Sequence, residues 1–326
     1  MLPTMAPYKR STPVSNRREE SESLLGHNHI GNHGNHNPKD ADKSPKFGRQ
    51  LLDASEVPDW YAHNTYLLSG YRPVTGSARF CFQSLVGLHN ETVNIWSHLL
   101  PGMIAVAGNC YLHLYFARYY PASLLVDRLA IHVYLTSSVI CFGMSSLYHT
   151  LNCHSQAYSE LWARWDYAAI ILQTVGSFTS GIYVTFYHHR GLQSLYWAVT
   201  GIGGLMSVIV VVNPKFQSSK WKTLRISTFV TMGLSGLLPI IHAASIYPWA
   251  LLNEKAGLGY YLVEGLSLVT GTVFYATQFP ESWAPRKFDI LGASHQLFHG
   301  FVVLAATIHI YGLLSVYDWI YKNTQI

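Results

Sequence analysis

His295 and His299 stand four residues apart in an apolar stretch near the C-terminus. On an α-helix that spacing leaves them about 40° apart around the axis and ~6 Å apart along it, so both imidazoles can reach one cation. Ser145 and His149 repeat the same spacing in an earlier apolar run, and Asp166 opens the next one. Three imidazoles with a vacant fourth position make a catalytic type of zinc site. Zinc brings the pKa of a bound water to about 7. A carboxylate such as Asp166 can orient that water or take its proton. Ser145 can hydrogen-bond the substrate or the ligand shell. Plainer roles stay open for each residue. A lone intramembrane histidine often bonds one helix to another. Asp166 can cap its helix or pair with Arg164, and Ser145 can bond back to its own backbone.

The elements that must position these residues are seven apolar runs, each near the ~20 residues that span hydrocarbon. They fall at roughly 95–117, 128–150, 166–188, 192–212, 224–247, 258–279 and 292–316. Pro239, inside the fifth, predicts a kink. Gly201, Gly204 and Ser207 predict close helix packing. Only 12% of the 326 residues are charged, about half the share of a soluble domain, which points to the same class. The expected fold is an all-α membrane protein, a seven-transmembrane helix bundle over 95–326. Because successive spans alternate in direction, the end of the second and the starts of the third and seventh share one side of the membrane. His149, Asp166, His295 and His299 therefore meet there. With the N-terminus cytoplasmic, the inner loops carry Arg164, Lys215, Lys220, Lys222, Arg286 and Lys287, and Arg72 and Arg79 precede the first span. That is the basic bias expected of the inner face, and it places the site on the cytoplasmic side.

Residues 1–50 are polar and poor in large apolar types, which predicts a disordered cytoplasmic tail. Residues 51–94 mix polar and aromatic groups. They predict short helices at the membrane surface, with a turn at Gly70-Tyr71-Arg72-Pro73. The net charge of +5 is explained by topology and anionic headgroups; no nucleic-acid motif is present. The four cysteines show no paired spacing, so neither a disulfide framework nor a CxxC metal site is expected. No apolar stretch at the N-terminus suggests a cleaved secretory signal. Glu91, Asn94 and His98 follow i, i+3, i+7 spacing at the mouth of the first span. They form either a second layer around the site or a polar helix end. His309 lies ~21 Å from His295 along the same helix, too far for the same ion. His113 and His132 are expected near the outer side, His242 and Glu264 among interior contacts. His27, His29, His33 and His36 belong to a solvated tail.

Several of these segments resemble one family. Glu91-Thr92-Val93-Asn94-Ile95-Trp96-Ser97-His98, Ser145-Ser146-Leu147-Tyr148-His149-Thr150 and Asp166-Tyr167 look like the progestin and adipoQ receptors, also called haemolysin-III-related, which include the adiponectin receptors. Pro280 to Ile290, followed by Ser294-His295-Gln296-Leu297-Phe298-His299, is similar to that family's most specific signature. The resemblance runs from about Pro58 to the last span. Ala168, Ala169 and Arg286 depart from its common residues. It implies seven spans with a cytoplasmic N-terminus, zinc on His149, His295 and His299, and Asp166 and Ser145 beside the metal. Adiponectin-receptor-like members are associated with hydrolysis of the ceramide amide bond, others with zinc or sterol homeostasis. The expected partners are therefore membrane lipids, as ceramide-like substrate and fatty acid product, and an extracellular protein or sterol ligand, in the plasma membrane or an endomembrane. A zinc-dependent amidase and a receptor with structural zinc require the same ligands, whereas a zinc transporter needs a polar path through the membrane and these ligands cluster on one side. A receptor with a hydrolase site is the expected combination.

Overall fold

A computed structural model describes residues 51–323; the tail predicted over 1–50 lies outside them. Among the described residues there is no strand, only an isolated antiparallel bridge between Leu52 and Tyr71. The helices are α1 (Ala78–Gln83), α2 (Thr92–Tyr119), α3 (Leu125–Leu151), α4 (Gln156–Thr185), α5 (Arg190–Val212), α6 (Lys222–Ser235), α7 (Leu237–Ile246), α8 (Leu252–Ala256), α9 (Leu258–Thr277) and α10 (Ser294–Asn323). By length and composition six rods can cross a membrane: α2, α3, α4, α5, α6 with α7 (Lys222–Ile246), and α10. The seventh, α9, has 20 residues, about the length a bilayer requires. Glu264, Tyr260 and Tyr261 in its first turns dilute its hydropathy. The protein is an integral, multi-pass α-helical membrane protein.

Successive rods from α2 to α6 pack side by side, α9 lies along α10, and α10 closes the ring against α2, α3 and α4. In its most apolar window α4 is 56% buried, against 17% for α2. The third span is therefore the central one. Ile104, Ile202 and Leu266 point their side chains outward, where lipid costs them nothing. At the end of the bundle away from His149, an apolar cluster of Phe116, Tyr134, Leu313, Val316 and Tyr317 surrounds the buried Asp127. Its carboxylate accepts hydrogen bonds from Tyr183 Oη (2.7 Å), Leu124 N (2.7 Å) and Tyr321 Oη.

Two expectations from the sequence change in detail. Asp166 does not open its helix: α4 begins at Gln156, about three turns earlier. The added turns carry Glu160 and Arg164, and hydropathy does not register a helix that continues beyond the apolar layer. Arg164 Nε bonds to the Glu160 carbonyl (3.1 Å), and among the described residues no ion pair joins Arg164 to Asp166. In the fifth rod the regular helix breaks at Gly236 rather than at Pro239. A proline has no N–H to give to the carbonyl four residues back, and its ring crowds that carbonyl. The disruption therefore lands near Ser235.

Residues 51–91 are mostly irregular, and they close over the His149 end of the bundle. Arg72 is their anchor, fully buried. Its guanidinium donates to the His149 carbonyl (2.7 Å), the Thr150 carbonyl (3.0 Å), Asn152 Oδ1 (2.7 Å) and Ser84 Oγ (2.7 Å). The last carbonyls of a helix have no partner within it, and a cation there also suits the helix dipole. Arg72 supplies both at the end of α3. Gly70 sits at φ +84°, and a Cβ there would lie 2.6 Å from Ile290 Cδ1, so only glycine lets the two loops meet. Beside it Leu68 N and Ser69 Oγ donate to Asp289 (3.1 and 2.5 Å).

Candidate metal centre

Two helices bring three histidines together beneath this cap. His149 comes from the last turn of α3, His295 and His299 from the first turns of α10. Each of the three offers one ligand atom, and those atoms all lie within 4.8 Å of one another. The ring centroids are 5.0, 5.0 and 4.7 Å apart, close to an equilateral triangle. His149 and His299 are buried and His295 is half-buried.

The outer nitrogens show which atoms face the centre. His149 Nδ1 lies 2.8 Å from Glu91 Oε2. An ionised carboxylate only accepts, so Nδ1 carries the hydrogen and Nε2 presents a lone pair inward. His299 Nδ1 lies 3.2 Å from the Asn94 carbonyl and 3.0 Å from Ser97 Oγ, which likewise leaves its Nε2 for the centre. His149 Nε2 and His295 Nε2 are 3.2 Å apart. Two nitrogens at ~2.0–2.1 Å from a tetrahedral zinc sit about 3.3 Å from each other. The donor set, the tautomers of His149 and His299 and the spacing fit such an ion.

Around the triangle stands a layer supplied mainly by the start of α2. Glu91 accepts from His149, from Asn94 Nδ2 (2.7 Å) and from Asn152 Nδ2 (3.0 Å). Burial by itself would raise its carboxyl. The adjoining His149 imidazole and the hydrogen bonds from His149 and Asn94 outweigh that and hold it well below the usual carboxylate range. His98 stacks on His299 with centroids 3.7 Å apart and planes 4° from parallel, which fixes the plane of that ring. On the far side Glu281, fully buried, accepts from Ser294 N (2.7 Å), from Ser294 Oγ and from Asn64 Nδ2 (2.9 Å). It thereby caps the helix that carries His295, satisfying a donor the helix leaves open.

Asp166, on the central α4, is buried and close enough to His149 and Ser145 to interact electrostatically with both. Ser145 Oγ is buried yet makes no hydrogen bond of ordinary geometry. The same is true of both His98 ring nitrogens and of Asn94 Oδ1. Orphaned buried polar groups are uncommon and costly; these four atoms stand beside the triad, while others belong to Trp162, Gln173, Tyr187 and Tyr261.

The chain matches the family model described as "Haemolysin-III related" over residues 86–310, a stretch that contains every residue of this centre. The chain belongs to the haemolysin-III-related family. Among its relatives, "Adiponectin receptor protein" of Drosophila melanogaster is 34% identical over 88% of this chain and 66% of its own length. "ADIPOR-like receptor IZH2" of Saccharomyces cerevisiae is 34% identical over 89% of this chain and 91% of its own. "Heptahelical transmembrane protein 3" of Arabidopsis thaliana is 30% identical over 86% and 91%. The chain thus spans just under two thirds of the fly relative's length. It is an adiponectin-receptor-like membrane protein of the haemolysin-III-related family, with a buried histidine triad able to hold a metal ion.

The sequence brought Glu91, Asn94 and His98 to notice only as a second layer or a polar helix end. Their i, i+3, i+7 spacing puts them on one face of α2, and that face looks at the triad. Arg72 was noticed only in a predicted turn and as a basic residue, and Glu281 only within the resemblance over 280–290, because each acts through a loop whose path the sequence does not disclose.

Proposed function

We propose that this chain is a membrane receptor whose His149, His295 and His299 hold a zinc ion, and that the site supports hydrolysis of ceramide-like lipid amides. The observation that carries the proposal is the convergence of His149 Nε2 and His295 Nε2, 3.2 Å apart, with the outer nitrogen of His149 fixed by Glu91. Three neutral nitrogen donors without a thiolate or an oxygen cage favour zinc over magnesium or calcium.

Zinc bound there supplies Lewis acidity and a water that ionises near neutral pH. The chain's own residues do the rest. Asp166 takes a proton from the water that adds to the amide carbon and delivers it to the departing amine, leaving a fatty acid and a sphingoid amine. Ser145 donates its O–H to the carbonyl oxygen as negative charge gathers there. Glu91 and Asn94 keep the imidazoles in place, and His98 holds the plane of His299. The names of the fly and yeast relatives support the receptor part; a protein or sterol outside the membrane is its proposed ligand.

The test is fatty acid release from ceramide by the purified chain in nanodiscs, read by mass spectrometry. His295→Ala abolishes release while helix content stays. Asp166→Asn lowers the rate ~10²–10⁴-fold. Release that survives His295→Ala contradicts the proposal. A second reading, zinc as a structural tie between α3 and α10, draws on the burial of His149 and His299. It predicts no turnover and a drop in melting temperature on chelation.

A further inference from the structure

Cys81, on α1, and Cys153, just past the end of α3, have sulfurs 3.5 Å apart across a separation of 72 residues. Both are fully buried, in a cluster with Tyr61, Tyr71 and Leu151. Two thiols in an apolar cluster are ordinarily inert packing. This pair differs in having a buried cation at its side. The Arg72 guanidinium bonds the Thr150 carbonyl, which Cys153 Sγ also approaches (3.9 Å), and it bonds Ser84 Oγ, which in turn bonds the Cys81 carbonyl (2.6 Å). A hydrogen bond from the Cys81 thiol and the charge of Arg72 lower the Cys153 thiol, against its burial. The other two cysteines, Cys110 and Cys141, lie inside α2 and α3.

We infer that Cys81 and Cys153 form a reversible oxidative modification site, closed to a disulfide by a hydroperoxide. The Cys153 thiolate attacks one peroxide oxygen, the O–O bond breaks, and the leaving hydroxide takes up a proton, giving a sulfenic acid and water. The Cys81 sulfur then attacks the sulfenic sulfur, the S–O bond breaks, and a second water forms with the Cys81 proton. In sum two thiols and one hydrogen peroxide give one disulfide and two waters. A disulfide needs the sulfurs at ~2.05 Å, so they close by about 1.5 Å. Cys153 sits in a turn and Cys81 on a helix of under two turns, both able to yield by that much. The bond ties the segment bearing Arg72 to the end of α3 bearing His149. Oxidation therefore latches the cap over the triad and slows its opening.

The experiment uses the full chain in nanodiscs, reduced and then exposed to hydrogen peroxide, with remaining thiols alkylated before peptide mapping. The expected result is a peptide linked through Cys81 and Cys153, lost again on treatment with dithiothreitol. In Cys81→Ser the link is absent and Cys153 becomes trappable by dimedone. Should that variant fail to fold, the map of the unaltered chain decides alone. Both cysteines still alkylated, at a peroxide dose that oxidises a reporter thiol in the same tube, would overturn the site. The latch is tested separately: a chelator should extract zinc several-fold more slowly from the oxidised chain, and an equal rate would refute the latch. This second arm rests on the metal proposal, while the peptide map does not, so the two failures are distinguishable.

Discussion

The bundle contains two buried histidine–carboxylate pairs of nearly identical geometry. His149 meets Glu91 at 2.8 Å and His309 meets Glu264 at 2.8 Å, and the side chains are 4%, 16%, 3% and 14% exposed in that order. Each carboxylate fixes one ring nitrogen. What differs is the other nitrogen. That of His149 faces two further imidazoles. That of His309 faces Ser180 Oγ at 3.0 Å, a hydroxyl able to donate to it, and the ring packs on Tyr134. The second pair is fully satisfied by the protein and works as a tie between α9, α10 and α4. The first points its inner nitrogen at His295 Nε2, 3.2 Å away, and at a third imidazole, a set of nitrogens that one shared cation can bind. A buried histidine–carboxylate pair is thus not by itself a metal site; its free nitrogen decides.

That contrast can be broken at several places. The largest effect is expected on metal content: His149→Ala and His299→Ala lose the ion, whereas His309→Ala keeps it and instead loses on the order of 1–3 kcal/mol of stability. Next come the carboxylates. Glu91→Gln weakens zinc binding ~10–100-fold, the usual cost of losing the partner that orients a ligand, and Glu264→Gln leaves affinity unchanged; competition with a chromophoric chelator reads both. Arg72→Met strips the end of α3 of its donors. It lowers the melting temperature by several degrees and speeds zinc extraction, while leaving the His309 tie in place.

The smallest effect is a pH dependence confined to the cap. His89, buried there beside Arg72, is pushed down to about 3 by burial and by the neighbouring guanidinium. Unfolded, it titrates near ~6.5. Between those values the unfolded chain binds the extra proton, so stability falls as pH falls. Melting of His295→Ala, in which metal release contributes nothing, should drop by a few degrees from pH 7 to pH 5. Adding His89→Asn should lessen the slope.

The triad was legible from two facts in the sequence: the four-residue spacing of His295 and His299, and the alternation of spans that returns His149 to their side. Seven rods were legible from hydropathy. Contacts made through irregular chain were not. Arg72 reaches the α3 carbonyls from a loop, Glu281 caps α10 from another, and neither path is periodic. The start of α4 was misplaced because its first turns are polar. Glu264 was read as an interior contact and His309 only as too far from His295 for the same ion, since nothing in sequence shows that α9 and α10 set them side by side.

The most direct test is zinc stoichiometry by inductively coupled plasma mass spectrometry, on chain purified with zinc present. The structure predicts about one ion per chain, lost in His295→Ala and retained in His309→Ala. An ion retained by His295→Ala, or none in the unaltered chain, would contradict the account.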